Sequence, residues 1–147
     1  MSEPIRRFSD YRWEHTDLLA YKEEGTAPFK AITRQILFKE PDLSCELRYF
    51  EIAAHGFSTM ERHQHRHGVV ILRGRGRCLN GDIVADVAVG DLVSIAPMTW
   101  HQFRSGDEPL GFLCMVNVER DRPLLPSADD LVVLRKNPIV AAFLQDF

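Results

Sequence analysis

From Cys45 to Val118 the chain runs as short β-rich segments, each ended by a turn signal. CELRYFEI, VVIL, IVADVAV, LVSI and LGFLCMVNV are separated by Gly56, Gly74, Asn80-Gly81-Asp82, Gly90-Asp91, Pro97 and Gly106-Asp107. Short segments at this spacing predict an all-β sandwich or barrel. Asn80-Gly81, between RGRCL and DIVAD, predicts a two-residue type I′ hairpin. Residues 1 to about 44 show mixed polarity and no sustained period. They read as an N-terminal arm whose best strand is ITRQILF, 32–38. Beyond Pro123 the chain offers a helix start at Ser127. It ends in NPIVAAFLQDF, where Asn137 can cap a short helix and Pro138 can take its first position.

The 147 residues suit one domain, 1–147, with a barrel over about 30–120, an arm over 1–30 and a tail over 121–147. No apolar run approaches the roughly 20 residues needed to cross a bilayer. The start, MSEPIRRFSDYRWEH, lacks the apolar core of a secretory signal, so the cytoplasm is expected. A net charge of −3 gives no basic excess for nucleic acid. Arg73, Arg75 and Arg77 then read as a solvated strand face. Cys45, Cys78 and Cys114 are widely spaced and without a CxxC pattern. They are expected as reduced thiols, and Cys45 and Cys114 as small buried hydrophobes.

The chemistry concentrates in ERHQHRHG, residues 61–68. Three histidines at alternate positions beside a glutamate predict a metal site. A helix would put His63 and His67 on one face, but Gly68 and the β-branched run after it disfavour a helix. On a straight strand His63 and His67 would stand about 13 Å apart, too far to share one ion. A reversal at Gln64-His65-Arg66 solves this. Glu61 and His63 then end one strand and His67 begins its neighbour, roughly 5 Å away.

A second motif, GDLVSIAPMTWHQFRS at 90–105, has a turn at Gly90-Asp91, a strand, a turn at Ala96-Pro97-Met98 and then His101 opening a strand. Here the chain resembles the cupins, small β-barrels with two motifs. Gly90, Asp91, Val93, Ile95, Pro97, His101 and Phe103 follow the family's second motif, with Ala96 shifting the proline and Ser105 replacing an asparagine. In the first motif, counting back from Gly74, His67 stands where the family has glutamate, His63 at its second histidine and Glu61 at its first. The resemblance covers about residues 45–120 and implies an antiparallel cupin barrel (double-stranded β-helix, or jelly roll). Its preferred ligand set is Glu61, His63, His67 and His101. The other register takes His63 and His65 as the paired histidines.

The resemblance further implies one divalent ion, iron, manganese, nickel or zinc, with open positions for a small molecule. Two function classes follow. One is an enzyme, a dioxygenase or a lyase/isomerase, acting on a small oxygenated acid or diketone-like substrate. The other is a non-catalytic ligand-binding or sensing protein. Fold alone does not choose between them. Glu61 and His65 are the candidate proton carriers, and Phe57, Met60, His65, Trp100, Phe103 and Met115 the expected pocket lining. Arg73 is expected at the far end of the barrel, and His15 and His55 on the surface. Small cupins commonly pair, so a homodimer is expected, with ITRQILF as an exchanged or edge strand.

Overall fold

The computed structural model describes residues 3–20 and 30–144; the part of the expected arm at 21–29 lies outside them. Eleven strands follow in order: β1 Phe8–Ser9, β2 Arg12–Trp13, β3 Leu19–Ala20, β4 Lys30–Phe38, β5 Cys45–Phe57, β6 His67–Arg73, β7 Arg75–Asn80, β8 Ile83–Ala88, β9 Leu92–Ile95, β10 His101–Ser105 and β11 Leu110–Asn117. Helices α1 Ala128–Leu134 and α2 Pro138–Phe143 complete the described residues.

The fold is all-β. One antiparallel sheet curls in the order β8-β7-β10-β5-β11-β6-β9, with β4 beside β5 and β3 beside β4. Successive side chains on a strand face opposite ways, and residues of the eight strands β4 to β11 share the interior. Ile52, Phe112, Ile71 and Ile95 belong to the same buried cluster. Phe112 sits opposite Phe50 on one side and Ile71 on the other. Its ring stacks on Phe50 at 5.8 Å and on Phe103 at 4.7 Å between centroids. Each such fully buried side chain contributes about 1.5–3 kcal/mol.

The predicted hairpin forms one residue later than expected. Asn80 pairs with Ile83, so the loop is Gly81-Asp82. Gly81, at φ 70°, occupies the first loop position, where a type II′ turn places its glycine. ITRQILF is paired more fully than an edge strand, with β5 along one side and the short β3 against Arg34 and Thr33 on the other. The arm docks through Tyr11 and Trp13, whose rings lie 6.2 and 5.3 Å from that of Tyr49. Gln35 anchors it, donating from Nε2 to the Tyr11 carbonyl at 2.8 Å.

The tail forms two helices where one was expected. Ser127 and Asp130 make a reciprocal capping box for α1. Asn137 caps α2, with Pro138 in its first turn. Helix α2 builds a second apolar cluster, in which Val140, Phe143 and Leu144 bury Met60 and Leu79. Among the described residues no helix is long and apolar enough to cross a membrane.

Candidate metal centre

The chain turns at Gln64-His65, as the spacing argument requires. Glu61 bridges to His101 as an antiparallel neighbour, and His67 opens β6 opposite Ile95. Between them the His63 carbonyl accepts from Met98 N at 2.7 Å, fastening the loop to the turn before β10. Three imidazoles from two separated stretches therefore meet. One ring nitrogen from each of His63, His67 and His101 lies within 4.8 Å of the others.

The rings are aimed from behind. His63 donates from Nδ1 to the His65 carbonyl at 2.7 Å, and His101 from Nδ1 to the Thr99 carbonyl at 2.9 Å. His67 Nδ1 lies 3.1 Å from the Cys114 sulfur. A proton held on Nδ1 leaves the Nε2 lone pair for a ligand, the usual outer-shell arrangement of metal-binding histidine. The Nε2 atoms of His67 and His101 are 3.4 Å apart. Nitrogens bonded at about 2.1 Å to one ion lie no more than about 4.2 Å apart, so the cluster needs only small adjustments to hold a divalent cation.

Glu61 Oε1 stands 3.9 Å from His101 Nε2, at the margin of this cluster. His65 is placed differently. Its ring stacks on that of His63, with centroids 3.6 Å apart and 3° between planes. Its Nδ1 donates to Asp121 Oδ1 at 2.8 Å. Asp121 also accepts from the backbone amides of Gln64 and His65, at 2.8 and 3.0 Å. These bonds, that from Gln64 first, hold its carboxyl well below the usual range. Asp121 thus pins the reversal that the metal site depends on, and the sequence carried no motif to point to it.

A cavity of about 220 Å³ opens on the three histidines. His65 and Phe103 line it, as do Phe50 and Phe112, which sequence reasoning left unassigned. Four expected lining residues are elsewhere. Met60 and Trp100 each precede a cavity residue, Glu61 and His101, and strand alternation turns them to the opposite side. There Met60 joins the α2 cluster and Trp100 packs at its edge beneath the Arg62 guanidinium. Met115 alternates between Cys114 and Val116 and faces outward, 55% exposed. Phe57 closes β5 against Arg104, outside the cavity wall. Arg73 also lies outside it, paired with Glu51 at 2.9 Å. His55 is exposed, 3.7 Å from Asp107, and His15 is exposed too. Cys45, Cys78 and Cys114 are free thiols, with Cys78 and Cys114 buried and Cys45 only partly so.

Burial lowers the pKa of each clustered histidine. His101 falls to about 4 and His67 to about 2, chiefly through desolvation and then through neighbouring imidazoles for His67; His63 moves the same way for the same first reason. All three are neutral near pH 7, the form that binds a metal. In the unfolded chain they return to about 6.5. Below that pH the unfolded chain takes up protons that the folded chain refuses. The metal-free protein should therefore lose stability as pH falls from 6.5 toward 4, by up to about 1.4 kcal/mol per pH unit for each of His67 and His101, with His63 acting in the same direction. Above pH 6.5 this contribution is flat. Urea unfolding of chelator-treated protein at pH 5, 6, 7 and 8 measures it, and equal stability at pH 5 and 7 would contradict the neutral cluster.

Comparison with known proteins places the chain in a family. The Cupin domain family model matches residues 48–116. Over 143 residues, 96% of this chain and 92% of the relative, it is 59% identical to a 1-methylthio-D-xylulose 5-phosphate methylsulfurylase of Rhodospirillum rubrum. A cupin 2 conserved barrel domain protein of Rhodopseudomonas palustris superposes with a TM-score of 0.90 at 52% identity, over 95% of this chain and 97% of that one. A cupin-2 domain structure from Rhodospirillum rubrum gives 0.88 at 58% identity, over 97% of each chain. The barrel, its paired motifs and these full-length likenesses agree: the chain belongs to the cupin family.

Proposed function

We propose that this chain is a metal-dependent enzyme that removes or transfers the methylthio group of a small phosphorylated ketose, of the 1-methylthio-D-xylulose 5-phosphate type. The observation that carries this reading is the extent of the likeness to the methylsulfurylase. It spans 96% of the chain, arm and tail included. The barrel motifs alone would support a fold and nothing more. The substrate replaces the oxygenated acid or diketone expected from the sequence, while the small-molecule, metal-dependent character of that expectation is kept. The expected homodimer and the cytoplasmic setting are carried as part of the same proposal.

In such a ketose the carbon bearing sulfur is next to the carbonyl. When a thiolate acceptor takes the methylthio sulfur as a mixed disulfide, the electron pair of the broken carbon–sulfur bond therefore passes to the carbonyl oxygen as an enolate. A proton then completes the methyl ketone. A divalent ion held by His63, His67 and His101 would supply Lewis acidity for that oxygen, and Glu61 is the proposed fourth ligand. The remaining chemistry falls to the cavity wall. His65 lines the cavity with its Nδ1 proton fixed on Asp121, which makes it the proposed proton carrier. Phe50, Phe103 and Phe112 keep water from the reacting carbon.

The test is elemental analysis of protein purified without chelator, followed by turnover of 1-methylthio-D-xylulose 5-phosphate with and without a small thiol acceptor. Loss of the methylthio group by the metal-replete protein only, with the thiol present and without O2 uptake, is expected. Metal-replete protein that leaves this sugar intact yet consumes O2 with a 1,3-diketone, flavonol or hydroxy acid would replace the proposal with an oxygenase.

A further inference from the structure

The cavity holds a cation that the metal centre does not explain. Arg48 projects inward from β5, opposite Cys114 of β11, and is 8% exposed. Its guanidinium lies over the Phe50 ring at 4.8 Å, and its Nη2 donates to the Cys114 sulfur at 3.5 Å. Its buried Nε has no hydrogen-bond partner among the described residues. A charge taken out of water costs several kcal/mol unless it is paired, and a thiol sulfur is a poor acceptor. Glu46, two residues along the same face, is itself buried, but it is engaged by Arg120 at 2.9 Å and Lys39 at 3.8 Å. Arg34, on the adjacent strand opposite Phe50, and Arg120 also line the cavity.

We propose that Arg48, with Arg34 beside it, forms a subsite for a phosphomonoester dianion next to the metal centre. A guanidinium offers two parallel N–H donors matched to two phosphate oxygens, and its strength rises where water is excluded. The placement fits the reading above, on which this inference rests. From Arg48 to His67 there are two contacts, 3.5 Å to the Cys114 sulfur and 3.1 Å beyond it. In a pentulose 5-phosphate the carbonyl carbon and the phosphorus are separated by roughly 6 Å, from bond lengths near 1.5 Å. One molecule can therefore set its carbonyl at the histidines and its phosphate on Arg48. The phosphate charge would also compensate the buried guanidinium, which gives specificity for the phosphorylated sugar over the free one.

The test uses calorimetric titration of the metal-loaded protein with D-xylulose 5-phosphate, D-xylulose and inorganic phosphate. Variants are Arg48→Met, Arg48→Lys and Arg34→Met, each first checked for metal content and a cooperative melt. Charge-assisted hydrogen bonds of this kind change affinity about tenfold to a hundredfold each. The wild type should prefer the phosphorylated sugar by at least that factor, and R48M should lose the preference while binding D-xylulose as before. R48K should recover part of it, because it restores charge without the fork, and R34M should cost less than R48M. Inorganic phosphate should compete with the sugar phosphate in the wild type and not in R48M. If R48M does not fold, R48K and R34M carry the comparison. A full preference for the phosphorylated sugar in all folded variants overturns the subsite. Arg48-dependent binding of inorganic phosphate with neither sugar bound would sustain the subsite and overturn the ketose reading. Equal binding of both sugars by the wild type would do the reverse.

Discussion

Replacing His101 with alanine should abolish metal binding at the concentrations where the wild type is saturated. The ring is one of the three whose nitrogens cluster, its Nε2 3.4 Å from that of His67, and it is buried. Changes to groups that only orient a ligand already cost about ten- to a hundredfold in affinity or activity, so loss of a ligand should exceed a hundredfold in both. The His65→Ala variant is the contrast. Its ring stacks on His63 and binds Asp121 but lies outside the nitrogen cluster. It should keep its ion and lose turnover. Elemental analysis after dialysis, with turnover on the same samples, separates the two. Full metal occupancy in H101A would mean that the ion sits elsewhere.

A large loss of stability is expected from Gly74→Ala. Gly74 is the single residue between β6 and β7, at φ 74°, a backbone conformation unfavourable to residues with a side chain by about 1–2 kcal/mol. An added Cβ would also stand 2.0 Å from the Pro109 carbonyl oxygen. That atom is backbone at the entry to β11, so relief requires moving a strand connection. Together these predict a loss of at least about 3 kcal/mol, or roughly 6–12 °C in Tm for a chain of this size. Calorimetry of the metal-free protein checks it, and an unchanged Tm would show that the loop relaxes at no cost.

What the sequence made legible follows the range of each interaction. Turn residues and β-rich segments act locally, and they located the strands of the sheet. The histidine reversal was readable because strand geometry forbids one ion from spanning a straight His63–His67 segment. The supporting shell was not. Asp121 lies more than fifty residues from the loop it pins, and Arg48 lies on a strand whose pattern misleads. In CELRYFEI the charged Glu46 and Arg48 share a face with Phe50 and Ile52, while Leu47 and Tyr49 share the other. Tyr49 and Arg48 are both buried, because the arm covers one side and the barrel interior the other. Alternation alone cannot choose a face when each carries both kinds of residue. The pocket expectations for Met60, Trp100 and Met115 failed by one position each, which in a strand reverses the side chain.

Helix α2 buries Met60, the residue immediately before Glu61, and Trp100, immediately before His101, packs at the edge of the same cluster. The chain's last described turn is thus a clasp on both stretches that present donors to the ion. Any coupling between helix α2 and an ion held at the histidines is thermodynamically reciprocal: a change that loosens α2 would weaken the ion by as much as a bound ion would tighten α2.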